Sequence, residues 1–534
     1  MPKFPNSKLL LAFLVITQQT VFCGPPRPDT LPTPAEDKVP SVEDVRARLK
    51  SPDAAERGMA AAEVLRYSYR ELTADLLKIL QSDSSDNART AAAIALAALG
   101  EQKAGAEIAA MLRARRGQTD LLIEALGDLR NPAHGAVAVP LLKYSDSMVR
   151  LKAAEALGKM QAKNQGAAIL AQASGISAPE ILEAHIVALG NIGYSAAENF
   201  LIKTAEQNPQ STLATAALHA LGKLKSRKAI PLLLNALKGS DAKLQENAAQ
   251  ALRLIPDSKS AAGLFAIFET HVRPSVKDGS AESTAEIALL AIDILADYPA
   301  QLTENKAIAL LKHEEKAYHA GAAFLLGKQK NRSVRERIEA ILRDKSTPNR
   351  EMVARALGYL NLPESISVLR EVAREPEGSA RYGAIWSLGI MVAREALPEI
   401  RSAVKSSDRQ LVAYGLEALA AMPAEEDLSS LEPILLNDEA NQLLAASVIA
   451  RISGERARRV LENAAKSSKP SQRAAGFEGL RLRADKSAIP FLIQQLEKGD
   501  AETRKLSVAV LRSITGENLS TVAEWLNWYK AQQK

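Results

Sequence analysis

Apolar positions recur at helical spacing from Ser41 to the end of the chain. In the best-preserved copies they form two runs, of which the first opens on a proline and the second is rich in alanine. Apolar residues at three- and four-residue intervals are typical of amphipathic helices. The same first run appears at 229–241, 396–408 and 488–500, each time ending on an aspartate. The pattern therefore predicts a succession of two-helix units.

The second run ends on Ala-Leu-Gly or a close variant, and the position after its leucine is here called the repeat mark. The repeat marks are Arg66, Gly100, Gly127, Gly158, Gly190, Gly222, Arg253, Ala296, Gly327, Gly358, Gly389, Ala420, Arg451, Arg481 and Arg512. From Gly327 to Arg451 every interval is 31 residues. Because a fixed period is typical of repeat architectures, we expect about 15 repeats of about 31 residues rather than several globular domains.

Polar residues at fixed offsets from the repeat marks predict how the helices begin and end. Aspartates twelve residues before the mark should cap second helices, because their carboxylates can accept from free N–H groups: Asp146, Asp241, Asp408 and Asp500. Arginines eight residues before the mark are Arg150, Arg350, Arg381, Arg473 and Arg504. We expect these arginines to bond their own turn or a neighbouring repeat, although a basic ladder for phosphate or acidic peptide is the alternative. The glycines at the marks are expected to serve helix ends.

The proline-opened first helix, the aspartate turn and the Ala-Leu-Gly second helix resemble HEAT repeats of the phycobilisome-lyase-like type. The resemblance covers nearly everything from about Val42 onward. It implies an all-α fold, a right-handed α-α superhelix or α-solenoid, with first helices on the convex face and second helices on the concave one. Such repeats serve mostly as scaffolds and recognition surfaces.

Composition agrees with this fold and excludes some functions. Apolar residues make up 47% of the chain and aromatics only 4%, so the core consists mainly of small aliphatic side chains that suit close-packed helices. The single cysteine excludes an intramolecular disulfide framework and a cysteine-rich metal site. The formal net charge of +6 is evenly spread, so we expect no nucleic acid partner.

Residues 1–23 have the pattern of a signal peptide, because Lys3 and Lys8 precede an apolar run at 9–16. That run is too short to cross a bilayer, which takes about 20 residues. Residues 24–40 are rich in proline and predict an extended spacer. We therefore expect an exported protein, periplasmic or secreted.

The only cysteine of the chain, Cys23, lies just after the apolar run and leaves two fates open. Cleavage after Cys23 fits ordinary signal peptidase and gives soluble release. Alternatively, Cys23 is the lipidated residue of a membrane-anchored bacterial lipoprotein. Thr20 and Phe22 depart from the usual lipobox and favour release, whereas the position of Cys23 favours lipidation.

The repeats are expected to fill residues 41–519, and a capping helix is expected at 520–534. Thr521 and Glu524 form a capping-box pattern at the start of that helix. Trp525 lies on its apolar face and should cover the last repeat. The excess length between the marks at Arg253 and Ala296 falls near 271–284 and predicts a loop, either a plain surface loop or a binding loop.

Repeat enzymes are the alternative to a scaffold, and the sequence disfavours them. Deoxyhypusine hydroxylases resemble this chain in repeat type, but they hold two irons through several His-Glu pairs, and here His313-Glu314 is a lone pair outside a second helix. Bilin lyases also resemble it, but their partner is cytoplasmic. Because no phosphate loop, nucleophile elbow or zinc-binding helix motif occurs, we predict no catalytic residue, cofactor or metal.

A binding surface is predicted from the residues three positions before the repeat marks, which should be partly exposed on the concave side. Phe324, Arg355 and Trp386 occupy this position in consecutive repeats. Tyr382 lies one turn before Trp386, and Tyr359 follows its own mark. Aromatic and arginine side chains are typical interface anchors, so we predict that a protein or peptide binds here. The alternative is that each ring fills a gap between repeats.

Overall fold

A computed structural model describes residues 40–272, 281–519 and 521–533. The predicted signal peptide, Cys23, nearly all of the spacer and most of the predicted loop at 271–284 lie outside the described residues. The described residues form helices joined by turns, and no strand occurs among them. Contacts divide the chain into two compact units, which meet in sequence at Ala104 and Gly105.

The first unit contains four helices and shows the packing of one repeat on the next. Its helices are α1 (Val42–Arg48), α2 (Ala54–Arg66), α3 (Thr73–Ser82) and α4 (Asp86–Ala98). Helix α4 packs against both α2 and α3. Arg57 on α2 forms a two-armed ion pair with Asp83, at 2.6 and 2.7 Å, and thereby joins one repeat to the next.

The second unit continues with 27 described helices. They are α5 (Ala104–Arg113), α6 (Thr119–Asp128), α7 (Gly135–Ala138), α8 (Ser147–Lys159), α9 (Gly166–Ala173), α10 (Pro179–Ile192), α11 (Glu198–Gln207), α12 (Thr212–Lys223), α13 (Ile230–Lys238), α14 (Ala242–Arg253), α15 (Ser258–His271), α16 (Ala281–Ala296), α17 (Ala300–Leu311), α18 (His319–Lys328), α19 (Arg335–Arg343), α20 (Arg350–Leu360), α21 (Ile366–Ala373), α22 (Ala380–Ile390), α23 (Leu397–Val404), α24 (Arg409–Leu419), α25 (Leu428–Asn437), α26 (Gln442–Arg451), α27 (Glu455–Ala465), α28 (Pro470–Arg483), α29 (Ile489–Lys498), α30 (Ala501–Thr515) and α31 (Val522–Gln532).

Short 3₁₀ turns lead into many of the first helices. They are Arg70–Leu72, Pro132–His134, Lys163–Gln165, Ser195–Ala197, Arg227–Ala229, Arg332–Val334, Pro363–Ser365, Arg394–Ala396, Glu425–Asp427 and Lys486–Ala488. Two further 3₁₀ turns, Pro140–Lys143 and Lys316–Tyr318, precede second helices. Within the second unit most second helices pack against the first helix of their own repeat and the second helix of the next, as α18, α20, α22 and α24 do in succession. The predicted fold, an all-α solenoid of two-helix repeats, is confirmed.

The predicted helix starts are also confirmed. Asp146, Asp241, Asp408 and Asp500 each cap a second helix through a side-chain carboxylate that accepts from backbone N–H groups. Proline occupies the first turn of α13, α23 and α29, where its missing N–H leaves no bond unmade. Local sequence therefore fixes where each helix of these repeats begins.

Among the glycines at the repeat marks, Gly100 ends a helix as predicted, with left-handed backbone just after α4, but for the other mark glycines the prediction is wrong. The others lie inside second helices and allow the next second helix to approach closely. A Cβ on Gly222 would lie 2.6 Å from Cα of Ala251, and one on Gly389 would lie 2.6 Å from Cα of Ala418. Each glycine therefore meets a small residue of the following repeat, with no room for a side chain between the two backbones.

The helix ends lie three residues beyond the marks, at residues with left-handed backbone. These are Arg130, Gln161, Gly193, Lys225, Lys330, Asn361, Val392 and Ala484. The next N–H then bonds the carbonyl five residues back, as Asn331 does with Leu326 at 3.0 Å, which is the Schellman arrangement. Because most of these positions carry side chains other than glycine, the sequence did not mark them as helix ends.

The arginines eight residues before the marks have the structural role that we expected. Arg350 donates to the carbonyl of Leu342 and forms a two-armed ion pair with Glu375, at 2.7 and 2.8 Å. Arg381 reaches Asp408, the cap of the next second helix. These guanidinium groups are therefore occupied within and between repeats, and they do not form a free basic ladder.

The last described helix, α31, packs on the helices that precede it. Thr521 and Glu524 form the capping box at its start. Trp525 is fully buried, and its ring makes an edge contact with Trp528 at 5.5 Å. Helix α31 packs against the first helix α29, so its buried tryptophan covers the last repeat.

Candidate partner-binding surface

The five predicted site residues lie on three consecutive second helices. Phe324 is on α18, Arg355 and Tyr359 are on α20, and Tyr382 and Trp386 are on α22. The structure brings all five into one contiguous group and adds a sixth residue from α24. The six residues, here called the aromatic cluster, are Phe324, Arg355, Tyr359, Tyr382, Trp386 and Tyr414.

Ring contacts connect the cluster across repeats. Tyr359 makes edge contacts with both Phe324 and Trp386, at centroid distances of 5.5 and 5.2 Å. Tyr382 stacks on Tyr414 at 5.7 Å. Aromatic pairs in these geometries each add about 0.5 to 1.5 kcal/mol beyond the burial of their surface. The cluster is therefore a rigid assembly rather than a set of separate side chains.

Arg355 joins the two groups of rings. Its guanidinium carbon lies 5.1 Å from the Trp386 ring and 5.3 Å from the Tyr414 ring. One guanidinium nitrogen donates to the Tyr414 hydroxyl at 2.8 Å and to the Glu351 carboxylate at 3.0 Å. Because the guanidinium is planar, it can stack on rings and bond in its own plane at the same time.

Two glutamates lie near Arg355 and differ in their hydrogen bonding. Glu351 accepts hydrogen bonds from Arg355, whereas Glu417, on α24, is partly buried beside the cluster. Burial raises the pKa of both carboxyl groups above the ordinary value, and the charge of Arg355 opposes that rise in each case. The pocket around Arg355 is therefore dry enough to disfavour carboxylate charge.

Tyr382 anchors the far side of the cluster through Asp408. Its hydroxyl donates to the Asp408 carboxylate at 2.7 Å, and Arg381 reaches the same oxygen at 3.4 Å. Burial, together with the bond to Asp408, raises the pKa of Tyr382 to about 12. The hydroxyl therefore remains a protonated donor, and the ring is held in one orientation.

Exposure within the cluster differs from the prediction. Phe324 is partly exposed, as predicted for its position, and Tyr359 and Tyr382 are partly exposed too. Arg355 and Trp386 are each only 7% exposed, because the guanidinium lies over the Trp386 ring and Tyr414 covers the guanidinium from two repeats away. These two side chains therefore lie beneath the surface, and the neighbouring aromatic rings form its exposed part.

Sequence reasoning missed two contributors to this surface. Ile390 directly follows its repeat mark and is 52% exposed, in the same position of its repeat as Tyr359. That shared position was the signal that could have found it. Tyr414 gave no such signal, because it contacts Arg355 from two repeats away.

A metal site is not formed by the described residues. Among them, no group of three or more His, Cys, Asp or Glu side chains is placed to hold a metal ion. His313 is exposed and lies in the turn after α17, where it accepts a hydrogen bond from the N–H of Glu315. No helix in the described part of the chain has the length and apolar character needed to cross a membrane.

Comparison with protein families identifies the repeats. The family described as HEAT repeats matches residues 170–253 and 304–389, and the second stretch contains five of the six cluster residues. None of the curated proteins matches the chain in sequence.

Solved structures of HEAT-type proteins are similar to the chain at low identity. Importin beta is 14% identical with a TM-score of 0.41, and the match covers 91% of this chain and 78% of the importin beta chain. Kap95p, solved with RanGDP, is 12% identical with a TM-score of 0.42, and the match covers 92% of this chain and 79% of the Kap95p chain. The CpcE–CpcF complex of phycocyanin lyase from Nostoc sp. PCC7120 is 22% identical with a TM-score of 0.26, and the match covers 51% of this chain and 92% of the matched chain. The family match therefore shows HEAT repeats in two stretches of this chain, and helix pairs continue on either side of them.

Proposed function

We propose that this protein is an extracytoplasmic, noncatalytic scaffold whose second-helix face, the face expected to be concave, binds a protein or peptide through the aromatic cluster. HEAT-repeat solenoids are suited to such a role, because stacked repeats present an extended surface. The observation that carries the proposal is the aromatic cluster itself, which departs from the small residues of the repeat pattern on consecutive second helices.

The exposed members of the surface provide its contact area. Tyr359 and Phe324 present partly exposed rings, and Ile390 adds an exposed aliphatic side chain. Behind them, Arg355 and Trp386 are fixed by stacking. A rigid aromatic anchor loses little conformational freedom on binding, so it can contribute about 2 kcal/mol or more to an interface.

The test is a crosslinked pull-down from envelope fractions, with partner stoichiometry and affinity measured on the purified pair. Tyr359→Ala and Ile390→Ser are suitable variants, because both side chains reach solvent. Each should weaken binding by about tenfold or more. Leu482→Ser is the control, because Leu482 also follows a repeat mark and is exposed, but it lies outside the cluster. Equal affinity of all three variants and the natural protein would contradict the proposed surface.

The extracytoplasmic location rests on the sequence of residues 1–23, which lie outside the described residues. Mass spectrometry of the mature N-terminus tests it. A chain that begins after Cys23 supports soluble release, and a diacylated or triacylated Cys23 supports a lipid anchor. An intact Met1 in a cytoplasmic protein contradicts export.

A repeat enzyme resembling bilin lyases or deoxyhypusine hydroxylases is the competing function. It would require a bound chromophore or iron on the purified protein. Absorption spectroscopy and elemental analysis of protein isolated from its natural host decide between them. Stoichiometric iron or a covalent bilin would contradict the noncatalytic assignment.

A further inference from the structure

A groove of about 400 Å³ runs along α30 and is bordered by α29 and α31. Its apolar lining includes Leu496 and Val522, one from each bordering helix. Its charged lining consists of Arg504, Lys505 and Arg512 on α30, and no carboxylate of a described residue lines it. This groove, here called the basic groove, therefore combines an apolar floor with an unbalanced positive charge.

The three cations of the basic groove differ in their hydrogen bonding. Arg512 donates to the carbonyl of Leu519 at 2.9 and 3.1 Å, which fixes its guanidinium. Arg504 donates to the carbonyl of Glu497 at 3.3 Å but pairs with no carboxylate of a described residue. Lys505 makes no hydrogen bond or ion pair within the described structure. Arg504 and Lys505 are therefore available to an acidic ligand.

Arginines at the position of Arg504, eight residues before the repeat mark, show what such a side chain binds. Arg381 on α22 reaches Asp408, the residue that caps α24. Arg473 on α28 reaches Asp500, the residue that caps α30. In both cases the arginine of one second helix meets the acidic start of the second helix beside it.

Among the described residues, no second helix lies beside α30 on the side of the basic groove. Helix α31 follows α30 in sequence but packs on the first helix α29. Ala509, three residues before its repeat mark, is accordingly exposed, whereas Val448 at the same position of α26, which α28 follows, is buried. Arg504 is thus placed to bond the start of a helix that the described residues do not supply.

We propose that the basic groove binds a helix of a protein partner whose first residue is acidic. The partner helix lies along α30 as a further second helix would, with its first carboxylate at Arg504 and Lys505 and its apolar face over Ala509 and Val522. Charge complementarity selects an acidic helix start, because bonds from guanidinium to carboxylate are charge-assisted and a carboxylate is also stabilised at a helix N-terminus. This site is separate from the aromatic cluster and does not depend on binding there.

A second copy of this chain fits the basic groove less well than a partner of different sequence. The helix it would offer is α2, the second helix of the first described repeat, and α1 already packs on α2. Val64, two residues before the mark of that repeat, is fully buried. Glu56 and Glu63 on α2 are already paired with Arg48.

The test uses the whole protein and a synthetic helix with the sequence of residues 408–420, which begins with the cap that Arg381 reaches. A hydrocarbon staple between positions 413 and 417 keeps this probe helical, because helices of this length are marginal in water. The matched probe carries Asp408→Asn, since asparagine caps a helix as well as aspartate but lacks the charge. Binding of both probes is measured by calorimetry at fixed ionic strength.

Arg504→Gln should weaken binding of the aspartate probe by about tenfold, which corresponds to about 1.4 kcal/mol, and should change binding of the asparagine probe by less than about twofold. Lys486→Gln is the control, because Lys486 is exposed but lies in the turn before α29, outside the basic groove. Its effect should stay within about twofold for either probe. If Arg504→Gln lowers the melting temperature, Lys505→Gln decides: a loss of about threefold supports the inference, and unchanged affinity overturns it.

The remaining outcomes are also decisive. Absence of binding at millimolar probe, equal affinity for the two probes, or equal losses with Arg504→Gln and Lys486→Gln would overturn the inference. A loss of probe affinity with Tyr359→Ala would place the probe on the aromatic cluster and overturn it too. Analytical ultracentrifugation of the protein alone tests the second copy: self-association that Arg504→Gln abolishes would assign the basic groove to another copy of this chain and overturn the partner helix.

Discussion

At the scale of single residues, His185 shows how a repeat core can make stability depend on pH. The side chain is fully buried on α10, and its Nδ1 lies 2.8 Å from the carbonyl oxygen of Ile181. That bond requires the proton on Nδ1, which leaves Nε2 as an acceptor, and Nε2 has no hydrogen-bond partner in the described structure. Burial lowers the pKa of His185, so the folded protein holds the neutral imidazole.

We therefore expect His185 to reduce stability in acid. Below pH ~6.5 the unfolded chain protonates this histidine while the folded chain does not, so the free energy of unfolding falls by up to ~1.4 kcal/mol per pH unit until the lowered folded pKa is reached. His185→Leu should remove this slope in urea unfolding between pH 7.5 and 5.5. His271→Leu is the control, because His271 makes the same bond to the carbonyl four residues back but is partly exposed. An unchanged slope in His185→Leu would contradict the assignment.

At the scale of helices, the mark glycines that lie inside second helices set the distance between neighbouring second helices. Gly222 faces the backbone of Ala251 with no room for a methyl group, whereas a Cβ on Gly58 would find its nearest atom at 3.9 Å. Both glycines lie inside helices. The same substitution should therefore have opposite effects at the two sites.

Gly222→Ala should lower the free energy of unfolding by about 1 to 3 kcal/mol, because the added methyl group forces two helices apart. Gly58→Ala should raise it by about 0.5 to 1 kcal/mol, because alanine loses less backbone freedom in a helix and meets no clash. Calorimetric melting of both variants measures the difference. A stabilising Gly222→Ala would mean that the helices can separate without loss.

The aromatic cluster shows where sequence reasoning reaches its limit. The period of the repeat marks placed Phe324, Arg355 and Trp386 on neighbouring second helices, because one offset recurs in every repeat. The same reasoning could not find that Arg355 bonds Tyr414, a residue 59 positions away and two repeats on. Nor could it assign the mark glycines to close packing, since the distance between two backbones depends on both helices at once.

At the scale of the whole molecule, stability should depend on contacts between adjacent repeats rather than on one central core. Trp525→Ala removes the fully buried ring that covers the last repeat and should cost about 3 to 5 kcal/mol there. Hydrogen exchange should show protection lost first in α29 and α30. Trp528→Ala, at a partly exposed ring, should cost less, and equal loss of protection along the entire chain would contradict local stability.

The arginine bonds between repeats also give the chain a direction. Arg57, Arg350, Arg381 and Arg473 each reach forward to a carboxylate of the following repeat, at Asp83, Glu375, Asp408 and Asp500. A cut between two such repeats thus leaves unlike ends, with an arginine on the upstream fragment and an acceptor carboxylate on the downstream one. Complementary fragments should rejoin head to tail and in the original order, whereas two identical ends should repel each other.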